Sequence, residues 1–388
     1  MNKRNFILSW KVLFIIFGWL YLQTNAYALP FGVYDSRTMA MGGVGVATGA
    51  RYASFNNPAL LTTADEIHEW FLLLPTTGEQ LDDSDDLKDN LADFKRAAII
   101  LDGVNNLTNR NAVQASLNAM DGSQYRETNN LAVMLAIPRR ILSGAVFLNS
   151  YEISNVQSVI GGDNLSAIPF PTYASTFAHR GVRIVENGVS AAKILESRSQ
   201  WLNNLSIGFN VKFLLIETYA YSESIRTADV EIETSQGNNS AQFAIDAGAF
   251  KEFGVWKVGM VAKNLLPGSY NYGVTGEKLK IEPQLRAGFA YQSRFTTLEF
   301  NIDLTKNDPV GFDTASQVAA VGWEWFPWKN LTLRAGYNKN LIEPDTGSST
   351  TGSVSAGIGL LYSGFHFDVA GYTGGEGDGI SAQLGLQF

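Results

Sequence analysis

From about residue 130 to the C-terminus, apolar and polar residues alternate along the chain with a period of two. In the last stretch Ile380, Ala382, Leu384, Leu386 and Phe388 alternate with Ser381, Gln383, Gly385 and Gln387. The pattern recurs in Val354 to Tyr362, in Leu298 to Thr305 and in Leu205 to Phe213. Successive side chains of a strand point to opposite faces, so each stretch reads as a strand with one apolar side.

A soluble two-sheet sandwich would show the same alternation with its apolar face inward. The connections separate the two cases. Read backwards from the C-terminus they run long then short: Thr373 to Gly379, Ser363-Gly364, Leu341 to Gly352, Pro327 to Asn330, and so on back to Gln157 to Thr176 and Pro138 to Arg140. Short turns at one end and long loops at the other mark a transmembrane barrel. With Glu69 to Pro75 as the first strand, the count is about fourteen, an even number as such barrels prefer. Beyond the N-terminus the longest clear apolar run is Leu131 to Ile137, far short of the ~20 residues of a spanning helix. Only a closed barrel then satisfies its backbone in lipid. The pattern predicts an all-β, transmembrane antiparallel barrel over residues 66–388, with outer-membrane lipid as its first partner.

Aromatic placement supports a lipid interface. Trp323, Trp325 and Trp328 lie at or near a short turn, as do Trp256 and Tyr291, while Tyr337 and Tyr362 fall on apolar strand faces. Amphipathic rings favour the headgroup level; in a sandwich they would be core aromatics.

The N-terminus sets the compartment. Lys3, Arg4 and Lys11 flank an apolar run from Val12 to Leu22, and Ala26-Tyr27-Ala28 offers a small-x-small cleavage site. Residues 1–28 read as a signal peptide, with an uncleaved anchor as the rival. Export together with a barrel points to the outer membrane of a Gram-negative bacterium. The terminal Phe388 on an amphipathic strand resembles the signal read by the barrel-insertion machinery, or else is an ordinary strand end.

Charge and composition narrow the picture. The net charge is −8 over 388 residues, and removing the three signal-peptide cations takes it to about −11. That balance excludes nucleic acid as a partner, since phosphate backbones call for a basic surface. The chain has no cysteine, so no disulfide staples it. Its only histidines, His68, His179 and His366, are too scattered for a metal motif, and no nucleophile sits in a recognisable catalytic context. No cofactor or enzymatic site is expected.

If the apolar faces meet lipid, the other faces line a lumen carrying Lys212, Asp246, Lys257, Lys263, Arg286, Glu299, Asp303, Glu324, Arg334 and Asp368. A selective pore would show a ring of one sign; mixed signs suit ion pairs with one another and with a plug. Lumen glycines such as Gly208, Gly248, Gly259, Gly288, Gly322, Gly357 and Gly359 leave room for it. The plug is expected from residues 29–65. There Gly42, Gly43 and Gly45 would let the backbone press on the wall, and Asn57-Pro58-Ala59 suits a tight turn with the Asn side chain bonding nearby amides. A phosphate loop is excluded, because Gly43, Gly45 and Gly49 miss the dinucleotide spacing and no Lys-Ser/Thr follows.

The first outer loop, residues 76–130, reads as partly helical. Leu87, Leu91, Phe94, Ala98 and Leu101 share a face at helical spacing, and Val113, Leu117 and Met120 suggest a second helix. These helices either cup a hydrophobic ligand or pack on each other and on the rim. In the cup reading Leu87, Leu91 and Phe94, with Phe170 and Tyr173 from the next loop, bind the ligand.

The opening "DSRTMAMGGVGVATGARYASFNNPALL" resembles the plug signature of the FadL-type outer-membrane barrels. Together with "FAIDAGAF", "VGMVAKNLLPGSY", "QLRAGFAY" and "LRAGYNKN", it is similar to a relative of that group catalogued as conjugal transfer protein TraF. The resemblance implies a fourteen-stranded barrel with an N-terminal hatch and, from the FadL side, passive uptake of hydrophobic small molecules. The TraF side implies a component linked to conjugal transfer or secretion, whose partners are surface-apparatus proteins.

Overall fold

The computed structural model describes residues 27–28, 32, 35–63 and 70–388, apart from breaks at 84, 138, 140–141, 168–169, 200–201, 231–236, 273–275, 343–351 and 376. The expected signal peptide over residues 1–28, but for Tyr27–Ala28, lies outside the described residues, as do both edges of the expected 29–65 plug.

Fourteen strands close into an antiparallel barrel. They are β1 Phe71–Asp82, β2 Gln124–Ile137, β3 Ser143–Val159, β4 Thr176–Leu195, β5 Leu205–Ser224, β6 Asn238–Phe253 and β7 Trp256–Lys263. They continue as β8 Gln284–Gln292, β9 Thr296–Asp303, β10 Val318–Trp328, β11 Leu331–Asn340, β12 Ser353–Tyr362, β13 Phe365–Gly374 and β14 Gly377–Gln387. The seam pairs β14 with β1, and its last rung is Phe388, which exchanges backbone bonds of 2.7 and 3.0 Å with Trp70. Period-two alternation turns every second residue outward. Val211, Phe300, Trp323, Ile358 and Ile380 are exposed on the outer wall, while Lys212, Glu299, Glu324 and Gln383 are buried inside. This is the inversion a lipid-facing barrel requires.

Three loop expectations change. The first strand runs past Pro75 to Asp82, because Thr77 to Asp82 pair with Arg126 to Leu131 beyond a bulge. Pro75 lacks an N–H, so the ladder steps over it. The outer loop therefore shrinks from 76–130 to 83–123. The last outer connection, expected to span Thr373 to Gly379, is a tight tip in which Gly374 pairs with Gly377. Both have positive φ, 149° and 91°, open to glycine without strain. The long connection between β7 and β8 is not all loop, for it holds a small hairpin, Gly268–Asn271 paired with Lys278–Ile281.

The wall is uneven. β3, β4 and β5 have 17, 20 and 20 residues against 8 to 11 for β7 to β14. About ten residues cross the hydrocarbon, so the upper half of the tall strands stands clear of it and both faces need cover. The inner face receives the hairpin Gly268–Ile281 and the loop containing Val310. The outer face carries the Arg183–Glu152 ion pair at 2.9 Å, and above it Tyr125, Val156 and Phe177. These three pack against two helices, α1 Leu87–Gly103 and α2 Leu107–Met120.

Candidate functional site

The lumen is occupied by residues 35–63. Asp35 starts this hatch by capping a short helix, Ser36–Ala40: its carboxylate accepts from Thr38 N at 2.8 Å and Thr38 Oγ1 at 2.6 Å. Burial pushes the Asp35 carboxyl above its ordinary range, against the pull of those bonds. Arg37 projects to the wall and meets Glu324 through Nε at 3.2 Å and Nη2 at 3.0 Å. Burial opposes its charge, yet Glu324 holds the guanidinium protonated above its usual range. Burial likewise lifts the Tyr52 hydroxyl well above the ordinary phenol value.

From β4 round to β14 every strand lends the hatch a hydrogen bond. Ser190 meets Ser54 at 2.8 Å, Asn210 donates to Ser54 O at 2.9 Å, and Ala249 O accepts from Asn57 at 3.2 Å. Lys263 donates to Phe55 O at 2.5 Å, Arg286 to Gly43 O at 3.2 Å, and Glu299 accepts from Ala47 N at 2.8 Å. Past Glu324 come Asn338 to Gly42 O at 3.4 Å, Ser355 to Ala40 O at 3.1 Å, Tyr52 to Asp368 at 3.4 Å and Ser36 N to Gln383 at 2.8 Å. Behind this ring the wall charges pair: Lys212 with Glu186 and Asp246, both at 3.1 Å, Arg286 with Asp303 at 2.5 Å, Arg334 with Glu324 at 2.8 Å and with Asp368 at 2.5 Å. Buried charges are tolerated only with such compensation.

Glycine makes the close fit. A Cβ on Gly259 would strike Val46 O, and one on Gly336 would strike the Gly42 backbone. On the hatch side, a Cβ on Gly42 would meet Tyr337 N at 2.7 Å, and one on Gly45 would meet Asn56 Nδ2 at 2.7 Å. Gly43 has φ of 90°. Asn57 accepts from Ala59 N at 3.1 Å and donates to Val46 O at 2.8 Å, with Pro58 opening the next turn.

The remaining sector, β1 to β3, meets the hatch through apolar side chains. Phe55 packs edge-on against Phe147 with ring centres 5.7 Å apart, and Tyr52 against Phe71 at 6.1 Å. These belong to one continuous cluster. It runs from Val310, Tyr272, Leu279 and Ile281 in the outer loops, past Ile153, Ile184 and Ile216 on the tall wall, to Leu60 and Leu61 of the hatch. At its foot, Tyr52, Leu61, Phe71 and Ala136 line a cavity of about 320 Å³ bounded by the periplasmic strand ends, with Arg51, Lys257 and Lys329 on its walls.

The five expected ligand residues are not gathered round this column. Leu87, Leu91 and Phe94 are buried between the two helices, and Tyr173 stands edge-on to Phe94 at 5.6 Å. Phe170 is 65% exposed in the neighbouring loop. Tyr125, Val156 and Phe177, on which the helices rest, share strand parity with the lipid-facing Leu131, Val146 and Val189. The helix pair therefore lies against the outer wall rather than over the lumen. Sequence reading missed Asp35, Arg37 and Tyr52 as anchors and the column residues in the outer loops; the Lys278 to Ile281 alternation was the one available signal for the latter.

The model of the family described as "F plasmid transfer operon, TraF, protein" matches residues 54–303. The chain belongs to this family. In this TraF-family chain the matched span covers the hatch turn at Asn57 and strands β1 to β9. No curated protein matches it in sequence. Its fold resembles the TodX deltaS2S3 mutant monoaromatic hydrocarbon channel at TM-score 0.57 and 11% identity, over 91% of this chain and 98% of that one. It also resembles the CymD monoaromatic hydrocarbon channel, at TM-score 0.53 and 13% identity over 93% and 98% of the chains. The Ralstonia pickettii toluene transporter TbuX matches at TM-score 0.51 and 12% identity over 92% and 98%.

Proposed function

We propose that the protein is an outer-membrane channel of a Gram-negative bacterium that admits hydrophobic small molecules passively, along the apolar column between the hatch and β1 to β3. The observation that carries this reading is the division of the hatch surface. Eleven strands hold it by hydrogen bonds, whereas the β1 to β3 sector offers apolar contact continuous from the outer loops to the periplasmic cavity. At the hatch, an apolar solute in that sector exchanges one apolar surface for another and leaves the hydrogen bonds of the other eleven strands in place, which lowers its barrier; nearer the outer loops it passes Asn155, which donates to Val310 O at 2.8 Å. The channels of like fold are described as carrying monoaromatic hydrocarbons and toluene, which supports small apolar solutes as cargo.

The test is uptake of labelled toluene by cells whose lipopolysaccharide excludes apolar solutes. The intact protein should raise uptake severalfold over cells without it, and Met134→Lys, which places a charge in the buried column at β2, should abolish the gain. Uptake equal to that of the empty strain would sink the reading.

A second reading, an assembly component linked to conjugal transfer, is favoured by the family description and by the tip of the helix pair. There Ile99, Ile100, Val104 and Leu107 are 58 to 71% exposed. Exposed apolar clusters of this kind mark protein-binding surfaces.

A further inference from the structure

The chain is acidic overall, at −8, but its charge is not evenly spread. Acids crowd the outer loops, as in the stretch Asp82 to Asp93. At the opposite end, every short turn except Ser363–Gly364 has a cation in it or on the strand beside it: Arg139, Arg198, Arg294 and Lys329 in turns, and Lys193 and Lys251 near the ends of β4 and β6. Beside this rim Glu252 is engaged by Lys257 at 2.6 Å.

Two of these cations lie on the wall itself. Lys193 is exposed and shares the outward parity of Val189 on β4, while Lys251 shares that of Phe243 on β6. Between them on β5 runs Ile207, paired with Lys193 on one side and with Ala249 on the other. Lys251 also lies 5.5 Å from the ring of Phe253. The cations therefore sit at the lower margin of the lipid-facing band, level with exposed Phe253, Trp256, Phe295 and Trp328. Long cationic side chains at such a margin extend to the headgroups while their stems stay on apolar surface.

We propose that this basic periplasmic rim, centred on Lys193, Arg198 and Lys251, binds the headgroups of net-anionic phospholipids in the inner leaflet. Charge complementarity and continuity with the lipid-facing band select a lipid rather than a soluble partner. A zwitterionic headgroup offers its phosphate together with a compensating cation; an anionic one does not, and clustered Lys and Arg discriminate between the two.

The experiment reconstitutes the full chain in vesicles of phosphatidylglycerol and phosphatidylcholine in equal amounts and identifies the lipids retained by native mass spectrometry. Retained lipid should be enriched severalfold in phosphatidylglycerol, and Lys193→Gln with Arg198→Gln and Lys251→Gln should return the ratio to that of the vesicle. A control triple, Lys88→Gln with Lys95→Gln and Arg110→Gln in the outer helices, should keep the enrichment. Heat-modifiable migration verifies that each variant is folded, and should the rim triple not fold, Lys251→Gln alone should reduce the ratio measurably. Added inorganic phosphate should leave the retained lipid unchanged; displacement by it would reveal a free-phosphate site and overturn the lipid assignment. Equal retention of the two lipids, or a folded rim variant with undiminished preference, would also overturn it.

Discussion

Arg37 of the hatch and Glu324 of β10 form a two-point ion pair, Nε to Oε1 at 3.2 Å and Nη2 to Oε2 at 3.0 Å, with both side chains under a tenth exposed. Arg334 meets the same carboxylate from the neighbouring strand at 2.8 Å. Replacing Arg37 by Ala leaves Glu324 one partner, a loss on the order of 3 kcal/mol for a buried pair. The barrel should persist while the hatch loosens. Because the chain has no cysteine, a single Ala53→Cys reporter, at a fully buried hatch position, reads this directly. Its modification should be several times faster in the Arg37→Ala background, and an unchanged rate would show that the pair does not hold the hatch.

Gly259 faces Val46 so closely that any side chain collides with the Val46 carbonyl. Gly259→Val should prevent the hatch from seating without touching the outer wall. Planar-bilayer recordings should then show a conducting barrel where the parent is closed, with heat-modifiable migration intact. A closed variant would mean that the hatch can shift to accommodate the side chain.

Phe94 is fully buried between the two outer helices. Phe94→Ala should cost about 3–5 kcal/mol of local packing. Hydrogen exchange should accelerate over residues 87–120 while the barrel strands stay protected. Since the helices rest on the outer wall, toluene uptake should be unaffected; a parallel loss of uptake would place the helices on the solute route.

Phe388 closes the seam with both its N–H and its C=O on Trp70, and its ring lies 6.1 Å from the Trp70 ring. Deleting it removes two backbone bonds at the last point of closure, where an open strand edge in lipid is costly. The yield of heat-modifiable protein from the membrane fraction should fall severalfold, whereas a normal yield would show that closure is set higher in β14.

Much of the fold was legible because the lipid-facing strand repeats a period of two under a single constraint. Ile380 to Phe388 could be assigned a greasy and a wet side from the residues alone. The paired charges of the lumen were legible for the same reason: Lys212, Asp246 and Glu324 fall on wet faces with opposite signs interspersed. Loop ends were less legible. Thr76 to Asp82 is polar enough to pass for loop, and it becomes strand only because Arg126 to Leu131 lie beside it.

The sequence by itself determined the barrel, its parity, the mixed charge of its interior and the helicity of residues 87–120, because each follows from local periodicity against a fixed environment. Only the tertiary structure decided which partner each group takes. Arg37 finds Glu324 287 residues away, and Tyr272 and Val310 join Phe55 in one column. The helix pair turns to the outer wall because the tall strands leave Tyr125, Val156 and Phe177 uncovered there. Such choices depend on closure of the sheet, which brings distant residues together and leaves no trace in the spacing of neighbours along the chain.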